Sequence, residues 1–268
     1  MPIAHWVQSS IQDAFFKMKK KIALFANTIV ILLYLHNYQT DMEELISNIN
    51  IEVNRIIYLK NPESSELGRK IITGSISMID KIGFEGFNFR KLGKEIKSTE
   101  ASIYRYFESK HKLLLYLTSW YWVWMEYRLV FSLANVVSPK DRLEKAIALL
   151  TKQVKEDNSF THINEVKLNR IVISESSKVY LTKGVDQENS DGVFAGYIRL
   201  VERVSGIILE INPNYKYSHM LVSSLIEGAH HQRYFAQHLP RLTDSVKGED
   251  AISTFYKEVV FKAINRRK

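Results

Sequence analysis

Side chains suited to gripping a polyanion crowd the stretch Asn88 to Lys110, NFRKLGKEIKSTEASIYRYFESK. From Asn88 to Lys112, Arg90, Lys91, Lys94, Lys97, Arg105, Lys110 and Lys112 stand against Glu95, Glu100 and Glu108, a local balance of +4. Phe89, Leu92 and Ile96 recur among them at helical spacing and turn one apolar face inward. Asn88 caps that first short helix by accepting a bond from a free backbone N–H one turn in. Lys97 and Ser98 fill a turn, and Thr99 caps a second helix with Glu100 near the positive end of its dipole. Ile103 and Phe107 then point into a core, which leaves Ala101, Ser102, Tyr104 and Arg105 on the opposite arc. Small residues there let a backbone approach base edges; an alanine methyl can meet a thymine methyl, and an arginine can fork onto a guanine or a phosphate. Tyr104, Tyr106 and Lys110 suit phosphate oxygens, which set register without reading sequence. The candidate DNA contacts are Asn88, Arg90, Lys97, Thr99, Ala101, Ser102, Tyr104, Arg105, Tyr106 and Lys110.

Two helices joined by a tight turn need a third to brace them. Asn61-Pro62-Glu63 is a start signal for one: a cap, a proline at the first helical position and an acid in the first turn. Leu67, Ile71, Ile72, Ile76 and Ile79 follow at helical steps, and Gly83 ends the helix.

Taken together, Ile71 to Phe84, Asn88 to Lys110 and Leu113 resemble the DNA-binding domain of the TetR/AcrR family of bacterial transcriptional regulators. The resemblance rests on Gly83-Phe84, the cap Asn88, and Tyr104-Arg105-Tyr106-Phe107-Glu108-Ser109-Lys110-His111-Lys112-Leu113. It implies an all-α protein: a three-helix DNA-binding domain with a helix-turn-helix, then a helical regulatory and dimerisation domain. The family usually has glycine and a small apolar residue where Lys97 and Ser98 stand. A non-glycine residue in a left-handed turn costs on the order of 1 kcal/mol.

Beyond Lys110 long helices are expected over His111–Val137, Lys140–Glu156, Ile163–Leu181, Gly192–Ile211, Tyr217–His238 and Glu249–Ile264, with a loop at Thr182–Asp191. Trp120, Trp124, Tyr127 and Phe131 form an aromatic stripe on the first of them. Such a stripe is ordinary core by default; the resemblance makes it a candidate wall of an effector cavity, with Glu175 a candidate for orienting a polar or cationic ligand. Leu221 and Leu225, with Phe255 and Val259 on the last helix, are the candidate dimer surface. In the resemblance, the last two helices pair with their mates in a four-helix bundle and set two recognition helices about 34–36 Å apart, one DNA turn.

Catalysis finds little support. Gly68 and Gly74 lack the spacing and the lysine of a phosphate loop. His230, His231 and His238 lack the i, i+4 spacing of a zinc pair. The chain has no cysteine, hence no disulfide framework or thiolate metal site. Its 268 residues have room for two domains, and its net charge of +8 favours polyanionic partners.

Residues 1–60 are read as an extension, 61–110 as the DNA-binding domain and 111–268 as the ligand-binding and dimerisation domain. Lys17, Lys19, Lys20 and Lys21 precede the apolar run Ile22–Leu35, which is shorter than the roughly 18 residues needed to span a bilayer. It reads as an extra helix packed on the protein or a partner chain, or as lying upstream of a translation start near Met42. The expectation is a cytoplasmic, homodimeric, ligand-responsive regulator, a repressor, with double-stranded operator DNA and an unidentified small-molecule effector as partners. No enzymatic activity, cofactor or metal is expected. The rival is a helical interaction or membrane-associated protein in which the motif only packs.

Overall fold

The computed structural model describes residues 51–156, 160 and 162–265, all within one unit, Ile51–Lys268. The run Ile22–Leu35 and Met42 lie outside the described residues. Within them the protein is all-α: eleven helices, three short 3-10 turns and no strand.

The first three helices are α1 (Glu66–Gly86), α2 (Phe89–Glu95) and α3 (Glu100–Tyr104). The start signal at Asn61 makes a separate 3-10 turn, Pro62–Ser64, capped by Asn61. The long helix begins after it because Ser65 supplies a second cap, its hydroxyl accepting from Gly68 N at 3.1 Å. Ile71, Ile72, Ile76 and Ile79 are buried along one face of α1. Gly83 interrupts that helix with φ 71° and ψ 163°, a conformation in the left-handed half of backbone space that glycine reaches without strain. One further turn then ends at Gly86.

The remaining helices are α4 (Lys110–Leu133), α5 (Pro139–Thr151), α6 (Glu165–Ser174), α7 (Ser177–Tyr180), α8 (Val185–Ser190), α9 (Ala195–Ile211), α10 (Ser218–His238) and α11 (Ala251–Ile264). The central element is α4. It is buried on nearly every face because α5, α6, α7, α9 and the turn Arg55–Ile57 all pack on it. A helix enclosed in this way is apolar all round. Buried Glu126 is held between Arg199 and Arg203 of α9, each Nε at 2.8 Å, so one carboxylate pins two turns of α9 to α4. Trp122 stacks on Tyr197 at 4.1 Å and donates to the Tyr180 hydroxyl at 2.5 Å, tying α4 to α9 and α7.

Three expected elements are corrected. The connector stops at Leu133, before Pro139, and Asn135 turns the chain at φ 64°. The helix expected over Ile163–Leu181 breaks after Ser174 into α6 and α7, although no proline or glycine marks the break. The loop expected at Thr182–Asp191 contains α8. Residues 51–60, read as part of the extension, pack on the helical unit: Ile51, Val53 and Ile57 are buried, and Leu59 N donates to Tyr106 O at 2.8 Å.

Candidate nucleic-acid interface

Each local device read at the helix-turn-helix is present. Asn88 Oδ1 accepts from Lys91 N at 2.9 Å, and Thr99 Oγ1 accepts from Ser102 N at 3.1 Å. Leu92, Ile103 and Phe107 are fully buried, and Phe89 nearly so, which fixes α2 against α3. The turn closes when Ser98 N donates to Gly93 O at 2.8 Å. A Cβ on Gly93 would lie 2.8 Å from the Ser98 carbonyl oxygen, so this close approach requires glycine.

Lys97 occupies the left-handed region at φ 55°, the strain expected where the family has glycine. Lys97→Gly is therefore expected to stabilise the domain by about 0.5–1 kcal/mol, read as a raised melting temperature. The same change is expected to lower the salt slope of DNA binding by about one, the effect of losing one phosphate contact.

The outward arc of α3 is open. Ala101, Tyr104 and Arg105 are exposed, and Tyr104, at 47% exposure, stands edge-on to Phe89 at 5.0 Å. Arg90, Lys94 and Lys97 flank the same pair of helices and are exposed. Ser102 is half-buried and shares a 2.7 Å hydrogen bond with Thr99 Oγ1, so its hydroxyl is partly committed to the cap.

Two candidate contacts are placed elsewhere. Tyr106 is 3% exposed, and its hydroxyl meets Ser65 Oγ at 2.7 Å, bracing the start of α1. Lys110 is half-buried: Nζ donates to Phe84 O at 3.1 Å and lies 4.6 Å from the centre of the Phe84 ring. Both side chains hold the three helices together. The Tyr106 hydroxyl is closed off from phosphate in this arrangement, and the Lys110 ammonium is already engaged at Phe84. Tyr106 lies past the end of α3 and Lys110 opens α4, so both sit at the junction with α1 and not on the exposed arc.

Behind the helix-turn-helix lies a cavity of about 440 Å³, bounded by α1, α4, α5, α6 and α10. Its α4 wall is Tyr121 and Met125. The expected stripe is elsewhere: Trp120 and Trp124 stack on each other within the core, while Phe131 is exposed beyond them, 6.3 Å from Tyr127. Truncating a fully buried tryptophan costs about 3–5 kcal/mol, which is reason enough for such residues without a ligand.

Glu175 does line the cavity, but its carboxylate is engaged. Oε1 accepts from Phe84 N at 3.0 Å and Oε2 from Lys178 Nζ at 2.5 Å. It thus satisfies the backbone N–H that Gly83 leaves free where α1 is interrupted. Phe84 N on Glu175 and Phe84 O on Lys110 join the cavity wall to the junction of the helix-turn-helix with α4. Nothing local in the sequence signals this link, which spans 91 residues.

The candidate dimer residues also divide. Phe255 (55% exposed) and Val259 are open on α11, and Met220 (67% exposed) is open on α10. Leu221 is half-buried. Leu225 is buried within its own chain and cannot meet a partner without rearrangement.

Among the described residues, no helix is long and apolar enough to cross a membrane, and no three acidic or histidine side chains could together hold a metal ion.

Three helices with a helix-turn-helix, its second helix exposed and flanked by Arg90, Lys94, Lys97 and Arg105, stand before an all-helical body. Residues 71–117 match the model of the family described as bacterial regulatory proteins, tetR family, and the chain carries that family's helix-turn-helix domain. The resemblance read from Gly83-Phe84, Asn88 and Tyr104 to Leu113 is thereby borne out. No curated protein matches the sequence. Among solved structures the chain is similar to the superantigen PfiT, with 14% identity and TM-score 0.51, covering 75% of this chain and 97% of that one. It is equally similar to the fatty acid degradation regulator FadR from Bacillus halodurans, with 14% identity and TM-score 0.51, covering 74% of this chain and 98% of that one. These likenesses establish a shared fold. One fold bears two differently named roles here, so function has to be argued from the site.

Proposed function

We propose that the protein is a sequence-specific transcriptional regulator that binds operator DNA as a homodimer and releases it when a small molecule occupies the cavity. The observation that carries this reading is the open face of α3, where Ala101, Tyr104 and Arg105 stand clear beside the exposed bases Arg90, Lys94 and Lys97. That composition provides base-edge contacts at the centre and phosphate contacts at the flanks. A purely structural helix-turn-helix has no need of an unpaired basic rim.

Dimerisation through α10 and α11 is supported by Met220, Phe255 and Val259, which leave apolar surface open on adjacent helices. Two copies would present two α3 helices to neighbouring major grooves. The cavity wall bonds Phe84 through Glu175, so an occupant that prefers a different placement of α6 biases the placement of α1. The shift extends only as far as the occupant's differential affinity for the two states. Repression by blocking a promoter is the simplest output of such a molecule, cytoplasmic and without enzymatic activity of its own.

The test is selection of fragmented source-genome DNA by the purified full chain at about 150 mM salt, where non-specific phosphate attraction is screened. One or a few fragments sharing a palindromic site should be enriched. Recovery indistinguishable from that of a chain with Arg90, Lys94, Lys97 and Arg105 replaced by alanine would rule the reading out.

A further inference from the structure

We propose that the cavity takes an uncharged molecule with an apolar body and one hydrogen-bonding group, and that this group is seated at His230. The proposal deepens the effector-responsive reading above and rests on it.

The buried part of the wall is largely hydrocarbon: Ile79, Met125, Leu150 and Ile171. His230 interrupts it. The residue is 8% exposed, stacks on Trp122 at 5.8 Å, and has no hydrogen-bond partner for either ring nitrogen among the described residues. Burial holds its pKa down to about 4, with His231 adding to the shift, so the ring is neutral at pH 7. A neutral imidazole offers one donor and one acceptor. Tyr121 stands in the same wall, its oxygen accepting from Asn169 Nδ2 at 2.7 Å, which leaves the phenolic proton to donate.

Glu175, Asp80, Arg170 and Arg233 of the wall are already matched. Glu175 is held by Lys178 and Phe84 N. Asp80 takes both arms of Arg170 at 2.7 and 2.8 Å. Arg233 is spent on Asp250 at 2.6 Å and on Thr151 O at 2.7 Å. Lys152 and His238 remain at the rim, exposed to water. An ionised head group placed against the buried wall would be desolvated with no free counter-charge, whereas a hydroxyl, amide or ketone would satisfy His230. At about 440 Å³ the space lies within the range of small-molecule sites.

The experiment compares 1-decanol, decanoate and decylammonium, one chain length with three charges. Each is titrated below its solubility or micelle limit into the full chain at pH 7, without DNA, by calorimetry and tryptophan emission. Decanol should bind saturably, roughly tenfold or more tighter than either ion. His230→Phe, which keeps the ring stack on Trp122, should weaken decanol roughly three- to tenfold, and His230→Gln, which keeps a donor and an acceptor, should restore it. Melting curves check that both variants fold, and the three-probe comparison on the natural chain stands without them. Either ion binding as tightly as decanol, no saturable binding of any probe, or an unchanged affinity in folded His230→Phe would overturn the proposal. Decanol binding that leaves operator affinity unchanged would support the site and refute the effector reading separately.

Discussion

Replacing Ala101 with glutamate is expected to abolish operator binding, by roughly 100-fold or more, because it adds a negative charge and bulk where the backbone must approach a phosphate-lined groove. The fold should be indifferent to the change. Ala101 is exposed and sits in the first turn of α3, where an acid favours the helix dipole. An exposed substitution of this kind stays within about 0.5 kcal/mol of the parent stability. Fluorescence anisotropy with a selected operator, paired with a melting curve, separates the two effects. Equal loss of binding and stability would mean that Ala101 packs against something in solution.

The second large effect is expected from Phe255→Lys combined with Val259→Lys on α11. Both side chains are open on the chain's own surface, so lysine there costs the monomer little, and two like charges per copy oppose pairing. Sedimentation should give a particle of 31.2 kDa in place of one twice that mass. Losing the second recognition helix removes the advantage of simultaneous engagement, and operator affinity is expected to fall by about 10²–10⁴. A variant that stays dimeric places the interface elsewhere. One that becomes monomeric yet binds as before removes the need for two-fold pairing.

Much of the helix-turn-helix was legible because its determinants are local. Asn88 and Thr99 cap the helices that follow them within three residues, Gly83 turns at positive φ, and Lys97 takes the left-handed conformation that its place in the turn demands. The misreadings arise where tertiary packing decides. Tyr106 has the residue type of a phosphate contact, but it follows the end of α3 at Tyr104 and its hydroxyl finds Ser65, 41 residues away. Lys110 has the type and place of a phosphate contact, but Phe84 O is nearer to hand. The aromatic stripe on α4 lost its meaning because that helix is enclosed on nearly all sides, so no single face marks a cavity. Leu225 shares α10 with exposed Met220, and spacing alone does not separate the inner from the outer apolar face. Glu175 ends α6 and caps a distant backbone N–H across 91 residues, a bond no window of sequence can display.

The natural chain contains no cysteine, so an Ala101→Cys variant carries one thiol, at the centre of the open face. Tethering an iron–EDTA cleavage reagent there and mapping strand breaks on a selected operator measures where α3 sits. Breaks should cluster at two symmetric positions about 10–10.5 base pairs apart, and an Asp186→Cys conjugate on α8 should leave the operator intact. Uniform scission from the Ala101→Cys conjugate, or breaks no closer to the operator than those from the Asp186→Cys conjugate, would contradict the placement of α3 in the groove.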